Sequence, residues 1–196
     1  MRRIKCFFLD ETGDCRQYLR RYSSGSNTVC KDGYGYHNAC SSYIAIVPED
    51  TVSGDRHPHD DTRWPTKCDH CDYVFLETDY WQLHHRRLYR RKDTGEFTTI
   101  EEAPVGAMWY ADWMPTAWKG QDGHALFVKT PGGDWGIDMR ASNCTKPDDN
   151  VHKCWVRHGA PPDVTVDKNG LTCAAGAGSI VIGNYHGFLR NGYLED

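Results

Sequence analysis

The chain has 196 residues, 26% of them charged and 39% hydrophobic, and its 12% aromatic content includes seven Trp and eleven Tyr. That is enough apolar material for one folded domain with a sizeable core, and it excludes a disordered chain. A formal charge of -4 and a pI near 6.2 exclude any whole-molecule attraction to nucleic acid or an anionic membrane, so polyanion binding would need a local basic patch.

From the N-terminus, Met1-Arg2-Arg3-Ile4-Lys5-Cys6-Phe7-Phe8-Leu9 has a basic start, but Asp10 and Glu11 cut its apolar run too short for a signal-peptide core. No stretch approaches the roughly 18 uninterrupted apolar residues of a membrane span. The expectation is a protein that is neither exported by a signal peptide nor membrane-bound. Its nine cysteines, an odd number, cannot all form intrachain disulfides, and in a reducing compartment they serve as thiols or metal ligands.

Ile4 to Leu9 reads as a first strand, and Cys15 to Tyr22 as a second in preference to a short helix. Ser23 to Asn38, with its Gly-Tyr-Gly-Tyr run, is a turn-rich loop, and Ser42 to Val47 is a strand ended by Pro48. The polar segment from Pro48 to Asp61 is a candidate mobile loop. Glu77 to His85 is the one expected helix, with Thr78 or Asp79 as its cap. Leu88 to Lys92 and Glu96 to Ile100 flank Asp93-Thr94-Gly95 as a β-hairpin.

Trp109, Trp113 and Trp118 form an aromatic cluster suited to core or hinge packing. Ala125 to Lys129 and Trp135 to Met139 flank Pro131-Gly132-Gly133-Asp134 as a second hairpin. Ser179 to Ile182, Tyr185 to Leu189 and Tyr193-Leu194, broken by Gly183-Asn184 and Asn191-Gly192, close the chain as a three-stranded meander. The predicted fold is α+β and mainly β: loop-rich antiparallel hairpins with one short helix and a zinc-ribbon-like knuckle. All 196 residues form one domain, with a zinc-knuckle region at about 30–92 and a C-terminal β-rich region at about 120–196.

The residues with the clearest chemistry are Cys68 and Cys71 in Cys68-Asp69-His70-Cys71. Two thiolates three positions apart grip one Zn2+ from a tight turn, but they are half of a tetrahedral site. Completion by Cys30 with His37, by His37 with Cys40, or by His84 or His85 is compatible with the spacing. Cys30 with His37 is favoured, because a glycine-bearing loop can fold onto the knuckle. The alternative is that both cysteines are small buried apolar side chains. Cys144, His152, Cys154 and His158, with Cys173 further on, make a second cluster, readable as a second metal site, a disulfide, or free thiols beside a surface loop.

Cys173-Ala174-Ala175-Gly176-Ala177-Gly178-Ser179 also permits an enzymatic reading. Small residues after a nucleophilic cysteine leave N–H groups for an oxyanion, with His186 as base and Asp163 or Asp167 orienting it; the competing reading is close strand packing. The run His84-His85-Arg86-Arg87-Leu88-Tyr89-Arg90-Arg91-Lys92 is a candidate nucleic-acid contact or a solvated face balanced by Asp93, Glu96, Glu101 and Glu102.

Arg63-Trp64-Pro65-Thr66-Lys67-Cys68, Leu88 to Glu96, Asn143-Cys144 through Cys154-Trp155-Val156-Arg157-His158-Gly159, Val166 to Gly170 and Tyr185 to Gly192 resemble a group of uncharacterised proteins encoded by tailed bacteriophages. The group carries no assigned activity. The resemblance implies a protein of the virion or the infected host's cytoplasm, and partners among other phage proteins or further copies of itself. The function expected is a non-catalytic, zinc-stabilised structural or protein-binding component. The alternatives are a hydrolase using Cys173 and His186 or an open metal position, and a nucleic-acid-binding module through residues 84–92.

Overall fold

The computed structural model describes residues 2–24, 30, 39–46, 62–149, 151–170, 172–175 and 178–196. They form strands β1 (Arg3–Lys5), β2 (Phe7–Tyr22), β3 (Ser41–Ile46), β4 (Tyr80–Arg91), β5 (Phe97–Thr98), β6 (Ala107–Tyr110), β7 (Leu126–Thr130) and β8 (Gly133–Gly136). Further strands are β9 (Val156–His158), β10 (Thr165–Asp167), β11 (Ile180–Ile182), β12 (Tyr185–Arg190) and β13 (Tyr193–Glu195). A single 3-10 turn, Thr116–Trp118, is the nearest approach to a helix among the described residues. No helix there is long and apolar enough to cross a membrane. The expected loop at Pro48–Asp61 lies outside the described residues.

Two compact units divide the chain: Met1–Thr12 with Tyr89–Asp196, and Gly13–Leu88. In the first, the sheet order runs β5-β4-β2-β6-β7-β8. β2 and β6 pair parallel, Phe7 with Ala107 and Phe8 with Met108, while β6 with β7 and β7 with β8 are antiparallel. Successive side chains of a strand point to opposite faces. Accordingly Phe8, Met108, Leu126 and Val128 enter one buried cluster, while Phe7, Leu9, Trp109 and Phe127 enter another. A sheet buried on both faces needs continuous apolar runs rather than alternation, and Phe7-Phe8-Leu9 and Leu126-Phe127-Val128 supply them.

The expected C-terminal meander is present. β12 pairs with β11 and β13, and β1 adds to the edge through Arg3 opposite Glu195. Leu126 is fully buried, so Leu126→Ala is expected to destabilise this unit by about 2–5 kcal/mol through lost burial and the cavity left behind, read as a lower midpoint in urea.

Within the Gly13–Leu88 unit, β3 pairs antiparallel with the outer part of β2, from Gln17 opposite Ile46 to Tyr22 opposite Ser41, and β4 is the neighbour of β2 on the other side. The helix expected over Glu77 to His85 is instead the start of β4. Asp79 caps no helix: its carboxylate turns back to accept the N–H of Leu76 at 2.8 Å. Beyond it, Leu83, His85 and Arg87 are exposed while Gln82, His84 and Arg86 are half-buried, the period of two of a strand. Pairing with β2 overrides the local helical preference of Gln and Leu.

Candidate metal centre

The knuckle is a tight hairpin. Cys68 donates its N–H to the Tyr73 carbonyl (2.9 Å), Phe75 donates to Thr66 (2.9 Å), and Lys67 bridges Val74 antiparallel. The thiols at its tip receive backbone donors from two residues ahead: the N–H of His70 points at Cys68 Sγ at 3.4 Å, and that of Tyr73 serves Cys71. Such N–H donors stabilise thiolate and orient it for a metal.

Three devices tie the knuckle to β2 and β3. Asp69 accepts from Ser42 Oγ at 2.6 Å and from the Tyr43 N–H at 3.3 Å. The Asp69 N–H in turn donates to the Ser41 carbonyl at 3.2 Å. Arg21, buried on β2, donates to the carbonyls of Pro65 and Leu76, each at 2.7 Å, on either side of the knuckle. Its guanidinium lies 5.1 Å from the Trp64 ring and 5.2 Å from the Phe75 ring.

This framework brings Cys30 and Cys40 onto the knuckle. The Sγ atoms of Cys30, Cys40, Cys68 and Cys71 all lie within 4.8 Å of one another. Cys30 to Cys68 is 3.9 Å and Cys40 to Cys71 is 3.5 Å. A tetrahedron of sulfurs each about 2.3 Å from a central ion has edges of about 3.8 Å, so the four donors fit one metal ion. None is disulfide-bonded.

Burial, reinforced by the neighbouring Cys71, pushes Cys40 up to about 12, whereas Cys71, led by the Tyr73 N–H, is pulled down to about 7. Further thiolates at this spacing repel one another until a cation joins them.

Of the four expected ligands, Cys68, Cys71 and Cys30 lie together in this group. The fourth thiol of the group is Cys40, while His37 lies outside the described residues. The Cys30-x9-Cys40 spacing was the available signal, but a gap of that length constrains geometry far less than Cys-x2-Cys. His84 and His85 point elsewhere. His84 bonds Gln82 and meets the edge of Tyr43, and His85 bonds Gln17.

In the first unit, Cys144, His152, Cys154 and Cys173 form a second group able to hold a metal ion. His158 is not in it, pairing with Asp167 at 2.9 Å. The residues of the thiol-hydrolase reading are engaged as follows: Cys173 Sγ faces Cys154 Sγ at 3.6 Å, His186 bonds Ser179 Oγ at 3.0 Å, and Asp167 holds His158 and Asn169. In the basic run, Arg91 pairs with Asp93 and Glu96, and Lys92 with Asp10. Arg86 lies over the rings of Tyr18 and Tyr43. No protein-family model, curated protein or solved structure matches the chain.

Proposed function

We propose that the protein is a non-catalytic structural or protein-binding component whose Gly13–Leu88 unit is closed around a zinc ion held by Cys30, Cys40, Cys68 and Cys71. The observation that carries this reading is the mutual approach of four thiols within 4.8 Å. Soft sulfur donors favour zinc over magnesium, calcium or manganese. Four protein ligands also leave no position for the water or substrate that a catalytic zinc requires.

A binding role draws support from the same unit. Val74, Leu76, Tyr80, Trp81 and Leu83 are all exposed along one short stretch of chain, which offers apolar side chains to a partner. The resemblance to proteins of tailed bacteriophages supports a place in the virion or the infected host's cytoplasm, with another phage protein or a second copy as partner. The test is cobalt(II) substitution followed by titration with azide. A closed site leaves the tetrahedral cobalt bands unchanged; a shift on adding azide would reveal an open position and overturn the non-catalytic reading.

A further inference from the structure

We propose that Cys144, His152, Cys154 and Cys173 form a second zinc centre in the first unit, a Cys3His site independent of the four-cysteine centre. In chain order they read Cys144-x7-His152-x1-Cys154-x18-Cys173, a spacing without a short Cys-x2-Cys pair to announce it.

The geometry passes the same fit test. His152 Nε2 lies 3.1 Å from Cys144 Sγ and 4.0 Å from Cys154 Sγ, and Cys173 Sγ lies 4.0 Å from Cys144 Sγ and 3.6 Å from Cys154 Sγ. A tetrahedral zinc with its usual bond lengths requires about 3.8 Å between sulfurs and about 3.6 Å between sulfur and nitrogen. The observed values straddle both. Sulfurs bonded to each other would stand only about 2 Å apart.

The surroundings are those of a metal ligand set. His152 Nδ1 is 2.7 Å from the Asp149 carbonyl. A carbonyl only accepts, so the ring proton sits on Nδ1 and the Nε2 lone pair faces the three thiols. The Asp149 carboxylate accepts the N–H groups of Val151 and His152 at 2.9 and 3.3 Å. Arg140 donates to the carbonyls of Lys146, Pro147 and Asp149, fixing the loop that delivers the histidine.

Cys154 Sγ accepts the Ala141 N–H at 3.3 Å. Cys173 repeats the knuckle's device, with the N–H of Ala175, two residues ahead, donating to its sulfur. Lys168 Nζ bonds the carbonyls of Cys154 and Ala175 at 2.5 and 2.6 Å. It clamps two ligand-bearing segments and sets a positive charge beside a centre that three thiolates and one Zn2+ leave net negative. On binding, each thiol releases its proton and zinc exchanges its waters for four protein donors.

Elemental analysis of the full reduced chain, compared with its variants, tests this. Two zinc ions per chain are expected, falling to one in His152→Ala and, separately, to one in Cys68→Ser. Should His152→Ala fail to fold, His152→Cys carries the test: it is expected to keep two ions. With cobalt(II) it should show stronger thiolate-to-metal charge-transfer absorption than the unaltered chain, as a fourth sulfur replaces nitrogen.

The proposal is overturned by a single zinc that Cys68→Ser removes, by cobalt spectra identical in the unaltered chain and His152→Cys, or by an intact mass showing a disulfide among Cys144, Cys154 and Cys173. A single zinc that survives Cys68→Ser and is lost in His152→Ala would uphold it and overturn the four-cysteine centre instead.

Discussion

Replacing Cys68 by Ser is expected to abolish zinc binding at the four-cysteine centre and to unfold residues 13–88. Among the described residues the apolar cluster around that centre is small: Cys30, Cys40, Cys68 and Phe75 are buried, with Cys71 and Tyr73 packed against them. Four of those six side chains are the proposed ligands themselves, so without the ion this cluster keeps little to offset the entropy of ordering the chain around it. Structural zinc contributes about 10–16 kcal/mol in small zinc-dependent modules, as much as the whole stability of a typical domain. Hydrogen exchange should therefore show β3 and the Tyr80–Leu88 part of β4 losing protection in Cys68→Ser. β6 and β7, built on their own buried clusters, should keep theirs. Unchanged protection of β3 would contradict this.

Asp79→Ala is expected to cost about 2–6 kcal/mol, because four hydrogen bonds to a buried carboxylate are lost at a net of about 0.5–1.5 kcal/mol each. Its Oδ1 accepts the N–H and hydroxyl of Ser24 at 2.8 and 2.9 Å, and its Oδ2 accepts the Leu76 N–H at 2.8 Å and the Tyr73 hydroxyl at 3.0 Å. The carboxylate thus pins the chain on both sides of the ligands: Ser24 precedes Cys30, and Tyr73 and Leu76 follow Cys71.

Burial alone would raise the Asp79 pKa, but the donors from Ser24, Leu76 and Tyr73 outweigh it and hold the group below the usual carboxylate range. A group whose folded pKa is depressed stabilises the fold above its unfolded value, about 3.9 for Asp, and that stabilisation is lost as the pH falls through the folded value. Urea melts of the unaltered chain and Asp79→Ala should therefore differ by a constant amount from neutral pH down to about 5, and converge in stronger acid. A difference independent of pH would show that Asp79 acts through packing rather than charge.

Turns were the most legible part of the fold. Gly183-Asn184 and Asn191-Gly192 separate β11, β12 and β13 as their composition indicates, with positive φ at Gly183, Asn191 and Gly192. Gly95, at φ +79°, closes the hairpin between β4 and β5. Pairings between distant segments were not legible. β1 adds to β13 across nearly the whole chain, and β6 lies parallel to β2, though the Ala107-Met108-Trp109-Tyr110 run reads equally well as a packed loop. The helix expected over residues 77–85 failed because a twelve-residue strand carrying His, Arg and Gln has no clean apolar alternation, so its partner strand decides its form.

The candidate metal ligands divide the same way. Cys68 and Cys71 declare themselves because the turn between them fixes their geometry locally. Cys40 and Cys173 reach their groups only through tertiary folding, and nothing in the local spacing separates Cys173 from His158 as a partner for Cys144, His152 and Cys154.

Chelation is the sharpest test of whether an ion on Cys30, Cys40, Cys68 and Cys71 holds the Gly13–Leu88 unit together. Zinc-loaded, reduced protein is treated with excess chelator and followed by elemental analysis and hydrogen exchange together. Release of zinc and loss of protection in β3 are expected to coincide, and both to be restored on adding zinc back. A zinc-free chain that keeps β3 protected would contradict this.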